Sequence, residues 1–198
     1  MQSRPPIIHP AWMRLTHWLN AIAVLLMLLS GWRIYNAAPL FPFTFPPGVT
    51  LGGWLGGGLQ WHFAAMWLLV LNGLVYLVLG VATGHLRRRL LPLSPAAVWA
   101  DTRAALSGTL RHDARGACNA VQKLCYLAII ADLLVLVVSG LAIWKSVQFH
   151  LLRLLMGGYD SARYVHFGAM AFAAAFIVVH VFMVALVPRT LLSMVRGR

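Results

Sequence analysis

Residues 165–181 read VHFGAMAFAAAFIVVHV, an apolar run with no charged side chain and two imidazoles, His166 and His180. It sits inside a stretch of about 163 to 187 that matches the roughly 20 residues a helix needs to cross about 30 Å of hydrocarbon. Three further stretches qualify, at about 15–35, 61–84 and 121–144. A helix satisfies its own backbone groups in lipid. The expected fold is therefore an all-α membrane protein, a bundle of four transmembrane helices forming a single domain over residues 1–198. The first apolar run is too long for a signal peptide and lacks a small-residue cleavage site.

Composition agrees. Hydrophobic residues make up 61% of the 198 positions and charged residues 10%, against about 25% charge in a soluble domain. A net charge of +12 raises the possibility of nucleic acid, but the basic residues flank the spans, which is the signature of membrane orientation. With a cytoplasmic N-terminus, Arg4, Arg14, the loop residues Arg87, Arg88, Arg89, Arg103, Arg111, Arg115 and Lys123, and the tail residues Arg189, Arg196 and Arg198 face inward. Arg33, Lys145, Arg153 and Arg163 face outward, a split of twelve to four. Both termini are expected in the cytoplasm. Trp12 and Trp18 on the inner side, and Trp32, Trp54, Trp61 and Trp144 on the outer, fit interfacial belts. Cys118 and Cys125 are seven residues apart, about 10.5 Å along a helix, which is too far for a disulfide. They read as reduced packing residues, and no C-x-x-C-H argues for covalent haem.

Two outer loops stand out. NAAPLFPFTFPPGVTLGGWLGGGLQ carries Phe41, Phe43, Phe45 and Trp54 among prolines and glycines, and is expected to lie on headgroups or under another protein. SVQFHLLRLLMGGYDSAR places Phe149, Leu152 and Leu155 at helical spacing, which predicts a short interfacial helix. In the inner loop, Ser94 as cap and Pro95 in the first turn predict a helix from Pro95 to Leu106. LLMLLSGWRIY also echoes LLVLVVSGLAIWK. Both place Ser-Gly near the outer end (Ser30, Gly31; Ser139, Gly140), either for close helix packing or to leave room for a flat cofactor.

Fourteen residues of helix rise about 21 Å and turn about 40° short of four revolutions, so His166 and His180 share a face at two depths. With alternating spans, His62 matches His166 near the outer side and His17 matches His180 near the inner side. Each pair offers two neutral imidazoles from different helices. Zinc or non-haem iron calls for further donors, yet the chain has four acids, with Asp132 alone inside a span. Two histidines suffice where a macrocycle supplies four ligands, which points to two b-type haems with both axial positions filled. Each histidine is expected to donate its other ring proton to a carbonyl one helical turn earlier.

The segments MRLTHWLNA, LQWHFAAMWLLVLNG, NAVQKLCYL, VSGLAIWK and GGYDSARYVHF followed by VVHV resemble the four-helix di-haem cytochrome b family. That family includes the cytochrome b subunits of nickel-iron hydrogenases, formate dehydrogenase gamma subunits, thiosulfate-reductase-type cytochromes and bacterial superoxide oxidases. The resemblance covers nearly the whole chain. It implies His17 and His180 as ligands of an inner haem and His62 and His166 as ligands of an outer one, in a multi-pass protein of the bacterial cytoplasmic (inner) membrane. GGYDSARYVHF and the closing LVPRTLL are most similar to cytochromes encoded with periplasmic molybdopterin oxidoreductases of the sulfite-oxidase type. HPAWMR before His17 departs from the acidic residue common in hydrogenase-type members.

The expected function is electron transfer between the quinone pool, with quinone as an exchangeable substrate, and a periplasmic redox partner of the molybdopterin type. The alternative is a stand-alone quinone-linked oxidoreductase such as a superoxide oxidase, with Arg33, Lys145 and Arg163 forming a cationic funnel. A haem-free transporter or scaffold whose histidines relay protons is the third reading. Arg33, Lys145, Arg153 and Arg163 outside, and Arg14, Lys123 and Arg189 inside, are candidate propionate partners, with Arg163 three residues before His166. Quinone-site candidates are His85 with Arg87, and Asn20, Asn119 and Gln122. Asp132 is read as a proton relay or as a neutral, hydrogen-bonded carboxyl. His9, His85, His112 and His150 read as surface histidines.

Overall fold

The computed structural model describes residues 9–107 and 119–197. The described residues form eight α-helices and one 3-10 turn: α1 Ala11–Ala37, α2 Leu55–Ala82, α3 His85–Leu90, α4 Pro95–Leu106, α5 Ala120–Trp144, α6 His150–Leu155, α7 Tyr159–Leu186 and α8 Pro188–Arg196, with the turn at Pro47–Val49. No strand occurs among them. Helices α1, α2, α5 and α7 are long and apolar enough to cross a membrane, and the chain is an all-α protein with four membrane-spanning helices. The chain divides into two compact units, Met1–Leu77 with His180–Arg198, and Val78–Val179.

The spans bury small side chains and expose large ones. Ala23, Ala65, Ser30, Ser139, Ala142, Ala162, Ala169 and Ala173 are buried, while Val81 is 71% exposed and Val178 69%. This reverses the pattern of a water-soluble core. Lipid chains solvate valine and leucine as well as protein does, so close helix packing falls to residues that let backbones approach.

Element ends follow local chemistry. Helix α1 stops before Ala38, which precedes Pro39 and adopts φ −149° and ψ 75°, since a residue before proline is pushed out of the helical region. Ser94 Oγ accepts from the Ala97 N–H at 3.3 Å at the head of α4, the cap the sequence predicts. Asn119 and Gln122 form a reciprocal capping box at the start of α5. That arrangement accounts structurally for two of the quinone-site candidates. Gly84, at φ 64°, ends α2 in the left-handed conformation that glycine adopts without strain. His85 therefore opens a separate short helix outside the span.

Helix α2 starts six residues before the expected 61, through Leu55-Gly-Gly-Gly. Glycine is a poor helix former, but here proximity decides. A Cβ on Gly58 would come within 3.1 Å of Arg33 Cγ, and one on Gly57 would collide with the Gly52 carbonyl. Within the first unit, the aromatic loop folds back on the end of α1. Asn36 exchanges two 2.8 Å hydrogen bonds with the Phe45 backbone, Phe45 stacks on Trp32 with centroids 4.7 Å apart, and Phe43 packs on Tyr35. The loop thus has its own small core, and Trp54 remains 68% exposed.

Within the second unit, Asp101 Oδ2 accepts from the Ala120 N–H at 2.7 Å and ties α4 to the head of α5. Helix α8 lies in the first unit, where Arg14 Nη1 donates to the Val195 carbonyl at 2.6 Å and Trp18 Nε1 to the Met194 carbonyl at 3.4 Å. A cation and an indole N–H thereby satisfy carbonyls at the negative end of a helix.

Candidate functional site

His17 and His180 meet within the first unit, their ring centroids 6.1 Å apart and planes inclined by 60°. Trp18 stands edge-on to His17. Two imidazoles bound on opposite sides of one metal ion would have centroids roughly 6 Å apart, from about 2 Å per metal–nitrogen bond and half of each ring. Among the described residues, no group of three or more His, Cys, Asp or Glu side chains converges as a metal site. The arrangement offers two ring nitrogens, the number that a four-nitrogen macrocycle leaves open.

Asn72, which the sequence reading did not single out, steadies this region. It is buried, and its Nδ2 donates to the Thr16 carbonyl at 2.8 Å and to Asn20 Oδ1 at 2.6 Å. Two α1 acceptors flanking His17 are thus tied to α2, and Asn20, a quinone-site candidate, has a structural partner. An asparagine in the middle of an apolar span was the available signal, because such a group in lipid needs a protein partner.

His62 and His166 are held in a different way. His62 Nδ1 lies 3.1 Å from Ser30 Oγ, and His166 Nδ1 lies 2.9 Å from Ser139 Oγ. Both serines are fully buried. Each hydroxyl also donates to the carbonyl four residues earlier at 2.6 Å, Ser30 to Leu26 and Ser139 to Val135. The next residue is glycine in both cases. A Cβ on Gly31 would sit 3.4 Å from His62 Cε1, and one on Gly140 would sit 3.4 Å from His166 Cε1. His166 also bonds the Leu136 backbone. The Ser-Gly echo is thus a shelf against which an imidazole lies edge-on, with the hydroxyl contact coming from the neighbouring helix.

The remaining candidates separate by partner. Arg163 faces Asp160 on its own helix, 3.9 Å away. Lys145 lies over the Trp144 ring at 4.7 Å, and Lys123 donates to the Pro92 carbonyl at 3.2 Å. Arg14 is engaged by α8, and Arg33 packs its side-chain stem on Gly58. Asp132 Oδ2 is buried with no hydrogen-bond partner among the described residues. His85, outside the spans, titrates below its ordinary range because of burial and then the charges of Arg89 and Arg88. His150 begins α6 and is exposed. Arg4, Arg111, His112, Arg115, Cys118 and Arg198 lie outside the described residues. Cys125 is free and exposed.

Four apolar helices, together with the family that the chain matches, make this a membrane haem protein of the b type. The chain belongs to the prokaryotic cytochrome b561 family, whose model matches residues 8–197. A protein of Azospira oryzae, provisionally designated protein-methionine-sulfoxide reductase subunit YedZ1, is 57% identical over 190 residues, which is 96% of each chain. Family membership implies haem b. The residues present fit that group on one observation: the His17–His180 separation, which leaves the span of an ion with two opposed ring nitrogens.

Proposed function

We propose that the chain is the electron-transfer subunit of a reductase, a di-haem cytochrome b exchanging electrons with the quinone pool and with a periplasmic, molybdopterin-containing partner. The His17–His180 pair at 6.1 Å is the observation that carries this reading. These two residues would hold one haem. By the depth matching of the sequence, His62 and His166 hold a second. The name of the Azospira relative supports a subunit role and extends it to methionine sulfoxide as the terminal substrate class.

Haem, when bound, supplies reversible one-electron exchange. The protein's part is to hold the ligands and exclude water. With two histidines bound to it the iron would offer no position to substrate, so these side chains suit transfer rather than turnover at the metal. The aromatic loop from Phe41 to Trp54, with its own packing and exposed apolar edges, suits docking of a partner. In this reading both termini lie in the cytoplasm, and the arginines of α3 mark the inner side.

A reduced-minus-oxidised visible spectrum of the purified chain is the direct test, with two bis-histidine b-type signals expected per polypeptide. A colourless protein, expressed with ample porphyrin supply, rejects the reading. Purification without crosslinking then divides the functional alternatives. A stoichiometric soluble redox subunit is expected, whereas a lone chain that reduces quinone on addition of superoxide would establish a stand-alone oxidase instead. Reporter fusions at each terminus test the orientation.

A further inference from the structure

We propose that Ser30 and Ser139 are positioning residues that fix the metal-binding tautomer of His62 and His166. The inference rests on reading those two histidines as axial ligands, and it adds which ring nitrogen is presented and what enforces the choice.

A serine hydroxyl has one proton to give and two lone pairs to offer. In both shelves that proton has a short acceptor, the Leu26 carbonyl for Ser30 and the Val135 carbonyl for Ser139, each at 2.6 Å. A carbonyl cannot donate, so the hydroxyl proton points along the helix and the oxygen lone pairs remain for the imidazole. The ring nitrogen 3.1 Å from Ser30 or 2.9 Å from Ser139 must then be the donor. Nδ1 carries the proton in both rings. In a neutral imidazole this leaves Nε2 with its lone pair available, at the far end of the ring from the serine.

The direction is thus relayed from the backbone of α1 or α5, through a hydroxyl, to the imidazole of the facing helix, and at His166 the Leu136 carbonyl reinforces it by accepting from the ring directly. The reverse tautomer would set two acceptors against each other in a buried site, where an unsatisfied polar group is costly. Glycine at the next position completes the device, because the ring edge already approaches to the contact distance of a missing Cβ. The same pair of residues performs this task twice, in separate units, while the surrounding helices differ in sequence. Two independent occurrences of one hydrogen-bond relay, each ending on a candidate ligand, are what packing alone does not supply. Donation by Nδ1–H also makes the opposite nitrogen more basic, which favours the ferric state of a bound haem.

The test uses the purified haem-loaded chain, read by optical redox titration and by low-spin ferric electron paramagnetic resonance. Ser30→Ala and Ser139→Ala are each expected to raise the midpoint potential of one haem and move its g values toward those of a plain imidazole. Haem retention against a scavenger should weaken about 10- to 100-fold. Ser30→Thr keeps a hydroxyl able to reach the earlier carbonyl and should restore the original potential. Thr102→Val, which removes a hydroxyl bonded only within α4, should leave it unchanged. Should an alanine variant fail to accumulate, the near-isosteric Ser→Cys variant makes the same test, because a thiol is a weak partner. The proposal is overturned if potentials and g values ignore loss of the hydroxyl, or if Thr102→Val shifts them as much as Ser30→Ala does. A parent protein lacking bis-histidine signals would instead reject the assignment of these histidines as haem ligands.

Discussion

The two kinds of histidine site solve one problem by different means. His62 and His166 are each braced by a fully buried serine and a glycine edge on a neighbouring helix, whereas His17 and His180 face each other across 6.1 Å. In the first kind, ring orientation is written into two adjacent residues and repeated. In the second, it depends on a wider frame, with Asn72 tying α2 to the backbone flanking His17 and Arg14 and Trp18 tying down α8 beyond His180. Local bracing is compact and should fail locally; a frame should fail by degrees.

The largest effects should come from the ligands. His166→Ala is expected to abolish one of two haem signals and leave the other, and His180→Ala should do the converse, as read in the reduced-minus-oxidised spectrum. Equal loss of both signals in a folded variant would break the distinction between the sites. Gly140→Leu should follow, because a branched side chain cannot share the space 3.4 Å from His166 Cε1. The expected result is loss of the same signal as in His166→Ala.

Smaller effects should come from the frame. Asn72→Leu removes two hydrogen bonds and leaves Asn20 Oδ1 and the Thr16 carbonyl without that donor. The expected cost is about 1–2 kcal/mol, measured by thermal unfolding in detergent, with the His17–His180 signal broadened before the other. A variant as stable as the parent would show that the frame does not depend on this residue.

The smallest effect concerns His85, whose pKa is lowered by burial and by Arg89 and Arg88. A histidine held below its unfolded value near 6.5 resists protonation in the folded state. Its stabilising contribution is complete above that value and is lost as pH falls toward and through the folded one. His85→Gln should flatten the melting temperature slightly below about pH 6.5, within about 0.5 kcal/mol given solvent screening. It should leave both haem signals unaltered.

What could be read in the sequence divides along the same line as the sites. Hydropathy alone located four spans, and the Ser94–Pro95 signal located α4, because both depend on chemistry within a few residues. Helix α3, helix α8 and the glycine-led start of α2 escaped. The last is decided by contacts with Arg33 and Gly52, and composition around α3 and α8 speaks of charge rather than helix. Likewise, fourteen-residue spacing singled out His166 and His180, and the Ser-Gly echo was visible as a pattern. Its meaning depends on which ring nitrogen meets the hydroxyl, and that is a property of two helices together. Asn119 and Gln122 carry a visible capping-box spacing, and of their two readings the hydrogen-bonding one is the one that the helix start displays.

Helix α7 runs unbroken from Tyr159 to Leu186 and carries both His166 and His180, so it acts as a ruler as well as a scaffold. Each α-helical residue adds about 1.5 Å and about 100°. One residue inserted anywhere between the two imidazoles would swing one of them by more than a quarter turn relative to the other. An insertion or deletion in this stretch would keep the two rings on one face only where it came close to whole turns.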